Sequence, residues 1–124
     1  MDVQPILIVD DEVDLLELFS LGLRKLPFPV LTARDGTTAL QLLEAHVPVV
    51  VILDIAMPYP NGLDLMRFVR SEPRFDSTKI VIFTAAPSRV SKPDADLADM
   101  IVAKPTTPRT LTEAVKTLIS SVNS

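Results

Sequence analysis

The sequence has no cysteine and only one histidine, His46. The first absence excludes disulfides, thiol catalysis and cysteine-based zinc sites, and agrees with a reducing compartment. The second excludes a histidine-rich metal centre. Long apolar runs are also missing: the longest, Val47 to Leu53, falls far short of the ~20 residues that cross a bilayer. Basic residues do not cluster beyond Arg24-Lys25, and with a net charge of −4 this argues against nucleic acid or an anionic membrane surface as the main partner. Only Met1 to Pro5 precede the first apolar run, and nothing in them resembles a signal segment. No internal repeat, low-complexity tract or linker interrupts the chain. What is present is enough apolar side chain, 48% of 124 residues, for one proper core. The expectation is a cytoplasmic single domain spanning residues 1–124.

Apolar runs too short for helices recur at Ile6 to Val9, Val30 to Thr32, Val49 to Leu53, Ile80 to Phe83 and Ile101 to Ala103, and read as strands. Between them, Leu16, Phe19, Leu23 and Leu26 step by three and four, as do Leu111, Val115, Leu118 and Val122, which predicts a first and a last helix. Gly36-Thr37-Thr38 before Ala39, Leu40 and Leu43 predicts another, with a threonine hydroxyl to cap its start. Asn61-Gly62 opens a helix carrying Leu65, Met66 and Val69 that ends before Pro73. In Ala85 to Asp99, Pro87 and Pro93 interrupt the pattern, so a fourth helix starts at Pro93 at the earliest and is short or irregular. Strands alternating with helices imply a doubly wound α/β fold, a parallel sheet with helices on both faces.

In such a sheet, ligands bind beyond the carboxyl ends of the strands. Those ends carry Asp10-Asp11, Asp54, Thr84 and Lys104. Carboxylates for a divalent metal, one carboxylate free to attack, a hydroxyl and an ammonium are the set that phosphoryl chemistry needs. Crowded carboxylates repel one another and repel a phosphoryl group, and Mg²⁺, which takes oxygen ligands, offsets both. Lys104 and Thr84 could then donate to phosphoryl oxygens. Asp35, Asp64 and Asp76 read as turn residues, His46 as a solvated or capping residue, and Met57 and Met66 as core fillers. Tyr59 and Pro60 lie in the loop after Asp54, where a partner could contact them, though a plain turn is the simpler account.

The motifs Ile8-Val9-Asp10-Asp11-Glu12, Ala33-Arg34-Asp35-Gly36, Leu53-Asp54-Ile55-Ala56-Met57-Pro58 with Asn61-Gly62, Thr84-Ala85 and Lys104-Pro105 together resemble the receiver domains of two-component response regulators, over essentially the whole chain. The resemblance implies a flavodoxin-like fold with five strands in the order 2-1-3-4-5 and no output domain. It implies that Asp54 accepts a phosphoryl group from a histidine kinase or histidine phosphotransfer protein. It further implies that Asp10, Asp11, Asp54 and the backbone carbonyl of Ala56 hold Mg²⁺, or Mn²⁺ in its place, and that Thr84 and Lys104 hold the phosphorylated state. The Lys104-Pro105 bond is expected to be cis. Signalling would pass by phosphorylation-dependent binding to a protein target, with room for a dimer and with no direct contact to nucleic acid or membrane.

The chain departs from the family at informative places. Three residues before the lysine, where an aromatic often reports phosphorylation, stands Ile101; the stretch from Thr84 to Lys104 is slightly short. Ala56 and Ala86 occupy positions that tune loss of the phosphoryl group. The expected consequence is that phosphorylation is read through rearrangement of Ala85 to Asp96 or through a different surface. Two other readings compete: an interaction module independent of phosphorylation, and a phosphatase with an aspartate nucleophile. The second would need an acid two residues after Asp54, where Ala56 stands.

Overall fold

The five apolar runs form a single parallel sheet whose three central strands are buried on both faces, as strands between two helical layers must be, with half-exposed strands at its two edges. In a computed structural model, which describes residues 3–120, they are β1 (Ile6–Val9), β2 (Val30–Ala33), β3 (Val50–Leu53), β4 (Lys79–Thr84) and β5 (Met100–Ala103), ordered β2-β1-β3-β4-β5. Alternation along each strand divides the core. Leu7, Val9, Val51, Leu53, Ile80 and Ile82 face one side, and Ile6, Ile8, Val50, Ile52, Val81 and Phe83 the other. The first side is covered by α2 (Gly36–Ala45), α3 (Gly62–Ser71) and α4 (Lys92–Leu97), the second by α1 (Val13–Leu23) and α5 (Pro108–Ser120).

Helix starts follow local capping chemistry, with three departures from expectation. The α2 cap is the Asp35 carboxylate, which accepts the Thr38 N–H at 2.7 Å, instead of a threonine hydroxyl. An ionised acid is favoured at this positive helix end. Asn61 and Asp64 form a reciprocal capping box on α3, so Asp64 is a helix-start residue as well as a turn residue. The fourth helix begins at Lys92, one residue before Pro93, with the Ser91 hydroxyl accepting the Asp94 N–H. Pro93 is tolerated there because an N–H in the first turn needs no intrahelical partner. Pro87 opens a separate 3-10 turn, Pro87–Arg89, so the segment is short and irregular as the prolines predict. Leu26 lies beyond α1 yet still packs on the core. Val122 and the expected chain end at 121–124 lie outside the described residues. Met57 and Met66 are buried in the core, and His46 is exposed at the C-cap of α2.

Lys104-Pro105 is cis, as expected, and so is Tyr59-Pro60. The loop holding the latter folds against the start of α2. A Cβ on Gly36 would collide with the Pro60 carbonyl and ring, and one on Gly62 with the Asp54 carbonyl. Gly36→Ala is therefore expected to lower unfolding stability by about 1–3 kcal/mol, the range for overpacking a tight contact. Chemical denaturation against wild type measures it, and an unchanged midpoint would contradict the close approach.

Candidate functional site

The parallel register sets the site. Val9 pairs with Leu53, so Asp10 and Asp54 leave adjacent strands at the same level, and Thr84 pairs with Ala103, which puts Lys104 beside it. The same turn chemistry recurs at three strand ends: Asp10 Oδ1 accepts the Glu12 N–H at 2.9 Å, Asp54 Oδ1 the Ala56 N–H at 3.0 Å, and Thr84 Oγ1 the Ala86 N–H at 3.0 Å. Each bond is the local side-chain-to-backbone contact that aspartate and threonine favour in turns. It fixes one oxygen of each acid and leaves Oδ2 for longer-range partners.

Those partners converge on Lys104. Its Nζ donates to Asp10 Oδ2 at 2.7 Å and stands 3.7 Å from Asp54 Oδ2. It also lies 4.9 Å from the Phe83 ring centroid, a cation-π contact that sequence spacing did not reveal. Asp10, Asp54 and Thr84 are all buried, at 2%, 3% and 0% exposure, whereas Asp11 is exposed. Carboxylate oxygens of Asp10, Asp11 and Asp54 all lie within 4.8 Å of one another. Three hard oxygen donors this close suit a divalent cation such as Mg²⁺. Ala56 sits immediately beyond, its N–H committed to Asp54.

Burial pushes the Asp54 carboxyl above its ordinary range, against the Ala56 N–H and Lys104, which pull it down; Asp10 and Asp11 add to the rise. For Lys104, burial acts downward, but the hydrogen bond from its ammonium to Asp10 and the charges of Asp10, Asp54 and Glu12 prevail and raise it. An ammonium held charged beside a carboxyl that burial lifts is a site prepared for more positive charge.

Away from the acids, α3 carries two arginines whose roles the sequence did not disclose. Arg67 grips Asp94 of α4 with two bonds, Nε to Oδ1 at 3.2 Å and Nη2 to Oδ2 at 2.8 Å. Arg70 donates to the carbonyls of Leu97 and Thr78 and to the Asp99 carboxylate. Their partners lie 8 to 29 residues away, beyond any local pattern. Ile101 is exposed on β5.

Comparison with known proteins agrees with this geometry. The family model described as "Response regulator receiver domain" matches residues 6–116. The chain is 32% identical over 123 residues to a probable transcriptional regulator, ycf27, of Guillardia theta, covering 97% of this chain and 47% of that protein. It is 34% identical over 118 residues to the DNA-binding response regulator MtrA of Mycobacterium leprae, covering 91% and 50%. The chain thus spans about half the length of these curated relatives. Among solved structures, the response regulator TrrA from Thermotoga maritima, in complex with Mg²⁺-BeF, superposes with a TM-score of 0.81 at 33% identity, covering 93% of this chain and 98% of that one. The chemotaxis response regulator CheY4 of Vibrio cholerae gives 0.83 at 27%, covering 94% and 99%.

The raised Asp54 carboxyl has a definite stability consequence. A carboxyl lifted by folding contributes stability below its unfolded value, near 3.8, and that contribution is lost as pH rises through the folded value. Near neutral pH, without divalent metal, wild type therefore carries a penalty that Asp54→Asn lacks. The variant is expected to melt higher near neutral pH, with the gap closing as pH falls toward the ordinary carboxylate range. Thermal melts in chelator across that range check it; a gap that widens on acidification would refute the sign.

Proposed function

The chain belongs to the response regulator receiver domains, and on that premise we propose that Asp54 accepts a phosphoryl group from the phosphohistidine of a histidine kinase or phosphotransfer protein. The observation that carries this reading is the meeting of Asp10, Asp11, Asp54 and Lys104 at one end of the sheet. An Asp54 oxygen attacks phosphorus and forms the new O–P bond; the P–N bond breaks, and its electrons stay with the departing imidazole nitrogen. Lys104, already within reach of both buried acids, turns its ammonium to a phosphoryl oxygen, and the Thr84 hydroxyl donates to another. Asp10, Asp11, Asp54 and the Ala56 carbonyl would hold a divalent ion, Mg²⁺ or Mn²⁺, which when bound would supply the charge that offsets repulsion between these acids and the incoming group.

Receiver domains are signalling domains rather than turnover enzymes, and Ala56 leaves no acid two residues after Asp54 to act as a general acid. The described helices include none long and apolar enough to cross a membrane. We place the protein in the cytoplasm with its kinase, as one receiver unit whose target is a protein, either a second copy or another chain. The signal leaves through α3. Its first residue, Gly62, donates to the Asp54 carbonyl at 2.9 Å, and Arg67 and Arg70 reach from it to α4 and the entry of β5. Movement at Asp54 is thereby felt in Ala85 to Asp96 without an aromatic at position 101.

Acetyl phosphate with Mg²⁺ is expected to add one phosphoryl group to wild type, seen by intact mass, and none to Asp54→Ala; Lys104→Ala should slow the reaction by about 10²-fold. A wild type that neither gains mass nor binds beryllofluoride removes the reading. For the output route, hydrogen exchange should change across Ala85 to Asp96 on addition of beryllofluoride, and Arg67→Ala should uncouple that segment while leaving labelling intact. Unaltered exchange there would mean the signal leaves elsewhere.

A further inference from the structure

Beside the charged groups of Asp11, Glu12 and Lys104, part of the rim around Asp54 is neutral. Ala56 and Pro58 after β3, Ala85 after β4 and Pro105 after β5 are all exposed. Next to Pro58 stands Tyr59, at 86% the most exposed large hydrophobic side chain of the described residues. A turn needs no bare aromatic ring, and exposing one leaves apolar area in water that a partner could bury.

Tyr59 is also held firmly. Its loop closes on itself where the Gly62 N–H meets the Asp54 carbonyl, and the Asn61–Asp64 capping box fixes its far end. Its outer side rests against Gly36, where the absence of a Cβ admits the Pro60 carbonyl. The backbone beneath the ring is thus braced, so that contact costs little beyond the rotation of the ring itself.

We propose that Tyr59 is a docking and specificity residue for the protein phosphodonor, packing against an apolar side chain that lies beside the donor's phosphohistidine. This rests on Asp54 being the acceptor. The argument is one of reach. Consecutive Cα atoms are ~3.8 Å apart, so Tyr59 lies within ~11 Å of Gly62, and Gly62 is bonded to Asp54. A protein–protein interface buries roughly 800 Å² on each partner, a patch about 16 Å in radius. A protein that brings a phosphohistidine to Asp54 therefore has Tyr59 within reach of its footprint, and exposed aromatics buried at an interface carry a large share of binding energy. A small donor such as acetyl phosphate covers no such area and ignores the ring.

That difference provides the test. Phosphorylated histidine-kinase transmitters are screened, the one that labels wild type is taken as donor, and acetyl phosphate serves as the second. Tyr59→Ala is expected to raise the KM for the transmitter about tenfold, with its kcat and its labelling by acetyl phosphate unchanged, while Tyr59→Phe behaves as wild type. An unchanged KM in Tyr59→Ala overturns this proposal and leaves Asp54 as acceptor. Slowing with both donors makes Tyr59 a support of the loop and likewise overturns it. Wild type labelled by acetyl phosphate but by no transmitter overturns the protein-donor reading and this proposal with it; labelling by neither removes the acceptor itself.

Discussion

One positive charge among three negative ones governs this end of the molecule. Lys104 reaches from the end of β5 to Asp10 at the end of β1, 94 residues earlier in the chain, and stands close to Asp54 as well. Removing two carboxylates from water is costly, and a buried ammonium at 2.7 Å is what makes it tolerable. The position of that ammonium depends in turn on β5 pairing with β4, through the Lys104 N–H on the Thr84 carbonyl at 2.8 Å. β5 is an edge strand whose residues alternate between half-buried and exposed, so it adds little to the core. Its contribution is to deliver Lys104. Because a buried ion pair is weak evidence for stability, the arrangement is better understood as chemistry than as a brace.

The same turn at three strand ends explains why acids and hydroxyl point inward instead of dispersing into solvent. A side-chain oxygen that accepts the N–H two residues on is held over its own strand end. Three strands in register repeat the geometry, and the second oxygens of Asp10 and Asp54 are left turned toward Lys104. Parallel pairing therefore does for the site what a single loop could not: it brings separate segments to one level without a long structured insert.

Much of this was legible in the sequence because it is local. Apolar runs ending in Asp10, Asp54, Thr84 and Lys104 declare both the sheet and its functional edge, and Pro87 and Pro93 declare the weak fourth helix. What escaped was set by tertiary packing. Asp35 outcompetes the threonine hydroxyls at the start of α2 because a carboxylate gains more from the helix end. Asp94 looks like an ordinary first-turn acid, yet it is buried, and only the fold puts Arg67 opposite it. Tyr59 reads as a turn residue until Gly36 and the α3 cap are seen to brace its loop.

Ile101 sharpens what an output route must be. A branched aliphatic side chain on an edge strand has no flat ring to swing into the space a moving threonine hydroxyl vacates, and no polar atom to report its new position. Any displacement around Asp54 must then travel through backbone or through other side chains. The Gly62 N–H gives it a backbone entry, and α3 is rigid enough to carry it, since its buried stripe of Leu65, Met66 and Val69 keys it to the core. At its outer side the helix also meets α4 and the start of β5 through guanidinium contacts, directional ones that hold or release over small shifts. A six-residue α4 with Pro93 in its first turn has little structure of its own to resist such a release. The features that remove the aromatic switch and those that loosen α4 thus fall on one face, and together they favour a signal read as the docking or undocking of α4.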